Sequence, residues 1–226
     1  MQLVIGNKNY SSWSLRPWLV LTQAGIPFEE VKLRLSFDAG SEFKAALSRW
    51  TPTGKVPVLV DDGFAVWDTL AICEYLAEKY PDKRLWPTDV RQRARARSVC
   101  AEMHGGFQGL RQHFPMNIEA RLPQVGEQVL ASRPEVAADV ERIVQMWREL
   151  LQASGGPMLF GDFTIADAYF APVCTRLRTY GVPVPADIEA YVERVFALPA
   201  MRSWVEAALA ERDFLDFDEP YRQSRD

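Results

Sequence analysis

Cysteine, histidine and an excess of either charge are all scarce in this chain, and each scarcity narrows what it can do. Its three cysteines, Cys73, Cys100 and Cys174, stand far apart in 226 residues and in no CxxC or Cys/His spacing. That argues against a disulfide framework, a structural zinc site and a dithiol redox pair. The two histidines, His104 and His113, add no metal motif. With 26 basic and 30 acidic residues the formal charge is only −4, so no overall field draws nucleic acid or an anionic membrane. No run of about 18 apolar residues occurs, and "MQLVIGNKNY" lacks a basic start, a long apolar stretch and a cleavage site. The expectation is a cytoplasmic protein with no metal, no nucleic-acid partner and no membrane partner.

What is present is enough apolar residue, 48%, to bury a full core. The first eighty residues alternate in character. "QLVIG" reads as a strand and "SLRPWLVLTQAG" as a helix with Pro17 in its first turn and Gly25 at its end. "FEEVKLRL" alternates as a second strand, "SEFKAALSRW" is compatible with a helix, and "VPVLV", "DDG" and "FAVW" make a hairpin with an Asp-Gly turn. "DTLAICEYLAEKY" then sets Leu70, Ile72, Cys73, Leu76, Ala77 and Tyr80 mostly along one helical face. After "PDKRLWP" only helical periodicity remains, clearest where Val140, Ile143, Val144, Trp147, Leu150 and Leu151 form a buried stripe. The expected division is residues 1–80, a linker at 81–87, and helices over 88–226, with the polar tail "DFDEPYRQSRD" on the surface.

Three short stretches invite chemistry. "NYSSWSLRPW" crowds Ser11, Ser12 and Ser14 into a strand-to-helix turn, where serines either cap the helix or hold a ligand. "GKVPVLV" puts Pro57 inside a strand, which fits a strand start, an edge or a cis turn; the last would leave the Val56 backbone free to pair with an extended peptide. "WDTLAI" puts Asp68 and Thr69 before a helix, either as a plain cap or as a site where helix N–H groups take a carboxylate and Asp68 an ammonium.

Together these stretches, with "FTIADAYFAPV", resemble the glutathione transferase family in order and spacing over almost the whole chain. In the last stretch Thr164 and Asp167 look like the family's capping box, a folding signal. The resemblance implies an α/β thioredoxin-like N-terminal domain that binds glutathione, an all-α C-terminal domain that supplies the second substrate's pocket, and a homodimer. It implies glutathione as co-substrate, held by the Val56 backbone with Lys55 and Trp13 beside it, and by Asp68 and Thr69 at the γ-glutamyl end. It implies further that a serine hydroxyl donates to the sulfur. Serine does this without forming a mixed disulfide, so the lack of cysteine in "NYSSWSLRPW" argues against a thiol-reductase branch.

The motif is nearest to the zeta class, whose Ser-Ser-Cys-x-x-Arg laid over "SSWSLR" selects Ser11, with Arg16 as the arginine. A theta-like gap selects Ser12. Ser14 then reads as a helix cap, and Tyr10 precedes the expected helix start. Trp13 replaces the zeta cysteine, and Asp-Thr replaces the usual Gln-Ser or Glu-Ser. The implied activity is thiolate attack on a small electrophile, with a maleylacetoacetate-isomerase type of reaction and a non-catalytic binding module as alternatives. Met103, Phe107 and Arg111, four apart, would share a helix face in the second-substrate pocket, with Gly105 and Gly106 bending that helix. "RQRARAR" reads as a solvated or dimer-facing surface.

Overall fold

The computed structural model describes residues 1–225. Strand β1 (Gln2–Ile5), helix α1 (Ser12–Gln23) and strand β2 (Glu29–Lys32) come first, then α2 (Glu42–Leu47), the hairpin β3 (Val58–Asp61) and β4 (Phe64–Trp67), and α3 (Thr69–Lys79). The strands form one sheet in the order β2-β1-β3-β4, with β1 and β2 parallel and the other neighbours antiparallel. Strand β1 is apolar at successive positions because both sheet faces are covered. Leu3 and Ile5 join Leu15, Leu19 and Leu76 on one side, while Val4 and Val58 meet Phe43 and Leu47 on the other. Asp62 and Gly63 both adopt positive φ, 49° and 84°, as a two-residue hairpin turn requires.

Two local expectations shift. The second strand is only four residues long, because its partner β1 ends at Ile5, opposite Lys32. Helix α1 begins at Ser12, two residues early, because Ser11 and not Ser14 is the N-cap: the Ser11 Oγ accepts from the Ser14 N–H at 3.4 Å. Pro17 therefore lies beyond the first turn, where its missing N–H leaves the carbonyl of Trp13 without a helical partner. The Thr69 hydroxyl supplies one, donating to the Trp13 carbonyl at 3.3 Å and tying α3 to α1.

The helical part comprises α4 (Val90–Gly105), α5 (Gln108–His113), α6 (Pro123–Ser132), α7 (Pro134–Ser154), α8 (Ile165–Thr179), α9 (Ala186–Ala197) and α10 (Pro199–Glu211). Helix α8 is buried along nearly its whole length and packs against α1, α4 and α9. Its start is the expected capping box: Asp167 Oδ2 accepts from the Thr164 N–H at 2.8 Å and Thr164 Oγ1 accepts from the Ala166 N–H. Asp167 also accepts from the Leu159 N–H and the Tyr191 hydroxyl, both at 3.0 Å, and burial still raises its carboxyl above the usual range.

The glycine pair does more than bend α4. The helix ends there: a side chain at Gly106 would strike the Glu102 carbonyl at 2.6 Å, and Phe107 turns left-handed at φ 54° before α5 begins. Met103, Phe107 and Arg111 consequently share no helical face, a correction whose cause is this break. The basic run is also less free than its charge implies. Arg97 pairs in a fork with Glu74, and Arg93 donates to the carbonyls of Pro87 and Thr88. The tail departs most from expectation. Within it Glu219 is buried, because the chain folds back and Glu219 accepts from the Tyr10 hydroxyl at 2.7 Å, from Asn117 Nδ2 at 2.8 Å and from Arg222.

Candidate active site

The turn carrying the serines is held from the helical side. Asn9 Oδ1 accepts from the N–H groups of Ile118 and Glu119 at 2.8 and 2.9 Å, Glu211 accepts from the Lys8 N–H, and Trp204 Nε1 donates to the Lys8 carbonyl at 3.0 Å. Such buried polar residues are tolerated because each finds a partner. Within the turn Ser11 Oγ donates to Ser14 Oγ at 2.7 Å, and Ser14 Oγ also accepts from the Gly6 N–H. Ser12 is the first helical residue, and its hydroxyl makes no hydrogen bond among the described residues. Helix N-terminal N–H groups add positive potential at this point.

Two cavities meet here. One, about 580 Å³, is lined by Ser11 and Ser12 with Leu35, Phe43, Met116 and Arg176 among its other walls. The second, about 510 Å³, is lined by Asp68, Thr69, Trp67 and His104. Trp13, Lys55, Val56 and Arg111 belong to both. Val56 precedes a cis bond to Pro57, and neither its amide nor its carbonyl pairs with another backbone group in the described residues.

Asp68 holds an unusual conformation, φ 72° and ψ 131°, a region that costs a non-glycine residue about 1–3 kcal/mol. Its Oδ1 accepts from the N–H groups of Leu70 and Ala71, at 2.8 and 3.3 Å, so it caps α3. Its Oδ2 faces the cavity, 3.3 Å from His104 Nε2, and His104 Nδ1 lies 3.1 Å from the Tyr169 hydroxyl. One carboxylate therefore both starts a helix and turns its second oxygen, in contact with His104, toward the cavity.

Around the seam stand three guanidiniums that meet no carboxylate among the described residues. Arg16 is buried and donates Nε to the Tyr169 carbonyl at 3.0 Å, leaving Nη1 without a partner. Arg111 donates to the carbonyls of His104 and Gly106, and Arg176 to those of Phe114 and Pro172. Burial lowers all three below the ordinary arginine value, Arg16 to about 10 and Arg176 to about 9, and repulsion from Arg111 adds to the effect on both. Trp13 sits between two of them, its ring 4.3 Å from the Arg16 and 4.9 Å from the Arg111 guanidinium carbon. Like charges gathered without counter-charge favour a bound anion.

Residues 10–79 match the family profile described as "Glutathione S-transferase, N-terminal domain", and residues 130–207 the one described as "Glutathione S-transferase, C-terminal domain". The chain belongs to the glutathione S-transferase family. Among curated relatives of this transferase, the maleylacetoacetate isomerase of Rattus norvegicus is 31% identical over 76% of each chain. That of Pseudomonas aeruginosa is 29% identical over 89% of this chain and 94% of its own. A solved glutathione transferase homologue from Burkholderia GL BGR1, with bound glutathione, superposes with a TM-score of 0.67 at 27% identity, covering 92% of this chain and 96% of its own. The small mixed sheet followed by a helical domain is thus the transferase fold.

Of the residues singled out in the sequence, Ser11, Ser12, Trp13, Lys55, Val56, Asp68, Thr69 and Arg111 line one or both cavities. Met103, on the buried face of α4, and Phe107, at the break after it, are packed in the transferase core and line neither. Tyr10 has its hydroxyl on Glu219, and burial followed by that bond pushes its phenol well above its ordinary value. His104, Arg176 and Asp218 are cavity residues that the sequence did not single out. Only His104 carried a local signal, its place beside the glycine pair. No helix is long and apolar enough to cross a membrane, and no group of three or more potential metal ligands occurs among the described residues.

Proposed function

We propose that the chain is a glutathione transferase that holds glutathione across the seam of the two cavities and delivers its thiolate to a small electrophile. The observation that carries this reading is the junction itself, where the unpaired Val56 backbone before β3, a capping carboxylate whose second oxygen meets His104 alone among the described residues, and a serine turn surround unbalanced positive charge. Residues 1–80 supply the glutathione contacts: the Val56 backbone pairs with the cysteinyl unit, Asp68 takes the γ-glutamyl ammonium, and the Thr69 N–H, which the Asp68 cap leaves unpaired, takes its carboxylate. Thr69 contributes through its backbone, its hydroxyl being engaged by Trp13. Residues 88–226, after the 81–87 linker, wall the electrophile side.

The Ser12 hydroxyl, free and on the cavity wall, donates to the sulfur. Ser11 shapes the turn, because its proton is already given to Ser14. A thiol with a pKa of about 8.5 must fall by about 2 units to be mostly thiolate at neutral pH, which takes about 2.7 kcal/mol of preferential anion stabilisation. One charge-assisted hydrogen bond and the α1 dipole account for that, and the nearby guanidiniums act in the same direction. Isothermal titration with glutathione tests binding, and conjugation of chlorodinitrobenzene tests the chemistry.

The names of the Rattus norvegicus and Pseudomonas aeruginosa relatives favour a second reading, in which the thiolate adds to a conjugated double bond, lets it rotate and leaves again. An isomer formed without consumption of glutathione marks that reaction, and a stable conjugate the first. We further propose a cytoplasmic location and a homodimer, the latter supported by the exposed apolar side chains Phe64, Trp67 and Val90.

A further inference from the structure

Asp218 is set apart from the acidic groups around it. Its neighbour Glu219 is bonded to Tyr10, Asn117 and Arg222, and Asp213 is held by Arg34 and Asn7. The oxygens of Asp218 make no hydrogen bond or ion pair among the described residues, yet the side chain lines the cavity of Ser11 and Ser12. A half-buried carboxylate without a partner lowers stability, so its place on the wall of a cleft points to use. That place is fixed. The turn Asp216–Asp218 is anchored by buried Leu215 before it and by Glu219 after it, and Phe217 stacks edge-on with Phe37 at 4.9 Å.

The position also says which substrate it meets. Asp218 lines the cavity with the serines and not the one with Asp68 and Thr69, which puts it on the electrophile side. Tyr10, Lys55, Arg111 and Arg176 share the lining of its cavity, and the neighbouring charge that acts on it is that of Glu219. Burial first, then the charge of Glu219, raise Asp218 to about 6, which leaves it able to carry a proton near neutral pH.

We propose that Asp218 is a catalytic acid toward the second substrate, giving its proton where thiolate attack on an enone creates a basic atom. The inference rests on the glutathione reading of the cleft. In the step, sulfur bonds to the β-carbon, the π pair of the double bond shifts toward the carbonyl oxygen, and Asp218 gives its proton to the enolate so formed. Solvent reprotonates the carboxylate, and the proton released earlier by the thiol balances the one gained by the product.

The test compares benzylideneacetone, an enone, with chlorodinitrobenzene, whose chloride leaves without a proton. Both rates contain the thiolate, so the ratio of their kcat/KM values isolates the acid. The acid form is complete below the Asp218 pKa and is depleted as pH rises through it. The ratio should therefore fall about tenfold or more between about pH 6 and pH 8 in the wild-type protein. In Asp218→Asn the ratio should be flat and, near pH 6, lower than wild type by about tenfold or more. Asp218→Glu should restore the slope. A flat ratio in wild type, an equal slope in Asp218→Asn, or no enone turnover above the uncatalysed rate overturns the role of Asp218. Calorimetry on the same samples separates the two readings: with glutathione bound only this inference falls, and with none bound the glutathione reading falls too.

Discussion

Asp68 is where folding and binding can be separated by a single pair of substitutions. Its Oδ1 caps α3 through Leu70 and Ala71, while its Oδ2 faces the cavity. Asp68→Asn keeps an N-cap oxygen and a residue type tolerant of positive φ, but removes the charge. Stability should then stay within about 0.5 kcal/mol. The glutathione KM should rise about tenfold, or about 1.4 kcal/mol, the lower end of what one charged hydrogen bond contributes. The contact with His104 cannot produce that loss, since a solvent-exposed pair of this kind is worth about 0–1 kcal/mol. Asp68→Ala should show the same rise in KM and in addition lose the cap, about 1 kcal/mol, lowering Tm by about 3 °C in a chain of this size. Steady-state kinetics at saturating chlorodinitrobenzene measure the first quantity and urea unfolding the second. An unchanged glutathione KM in Asp68→Asn would refute the assignment of Asp68 to the γ-glutamyl end. A large stability loss in that variant would refute the separation of its two roles.

Other expectations follow from the same geometry. Asp167→Ala should cost about 3 kcal/mol or more, read by urea unfolding, because it strips partners from the N–H groups of Leu159 and Thr164 and from the Tyr191 hydroxyl in a fully buried site. Tyr10→Phe should leave the pKa of bound glutathione unchanged while lowering stability by about 1–3 kcal/mol, since its hydroxyl serves the buried Glu219; a raised thiol pKa would give Tyr10 the activating role instead. Light scattering should give a dimer mass, and Phe64→Glu should shift it toward the monomer.

How much of this was legible in the sequence depended on range. The βαβαββα order, the Asp-Gly hairpin and the capping box at Thr164 and Asp167 could be read because each is set by residues within one turn or strand of each other. Contacts between distant segments could not. The tail reads as solvated chain because six of its eleven residues are charged, and nothing local shows that Glu219 is received by Tyr10 and Asn117, about two hundred and a hundred positions away. The three serines showed the same limit in miniature. A motif places them at the helix start, but whether Ser11 or Ser12 keeps a free proton depends on Ser14 and on the Gly6 N–H. The Met103, Phe107 and Arg111 stripe failed for a local reason: the glycine pair ended the helix, so a spacing of four no longer meant a common face.

The ionisation of bound glutathione tests the central claim most directly. Thiolate absorbance in the ultraviolet, titrated against pH in the binary complex, should show a thiol pKa about 2 units below the free value of about 8.5. Ser12→Ala should raise it by about one to two units with glutathione affinity held within a few-fold, and Ser11→Ala should raise it less while weakening the start of α1. A full rise in Ser11→Ala with none in Ser12→Ala would move the hydrogen bond to the neighbouring serine. A bound thiol that titrates at its free value in the wild-type protein would contradict thiolate activation in this cleft altogether.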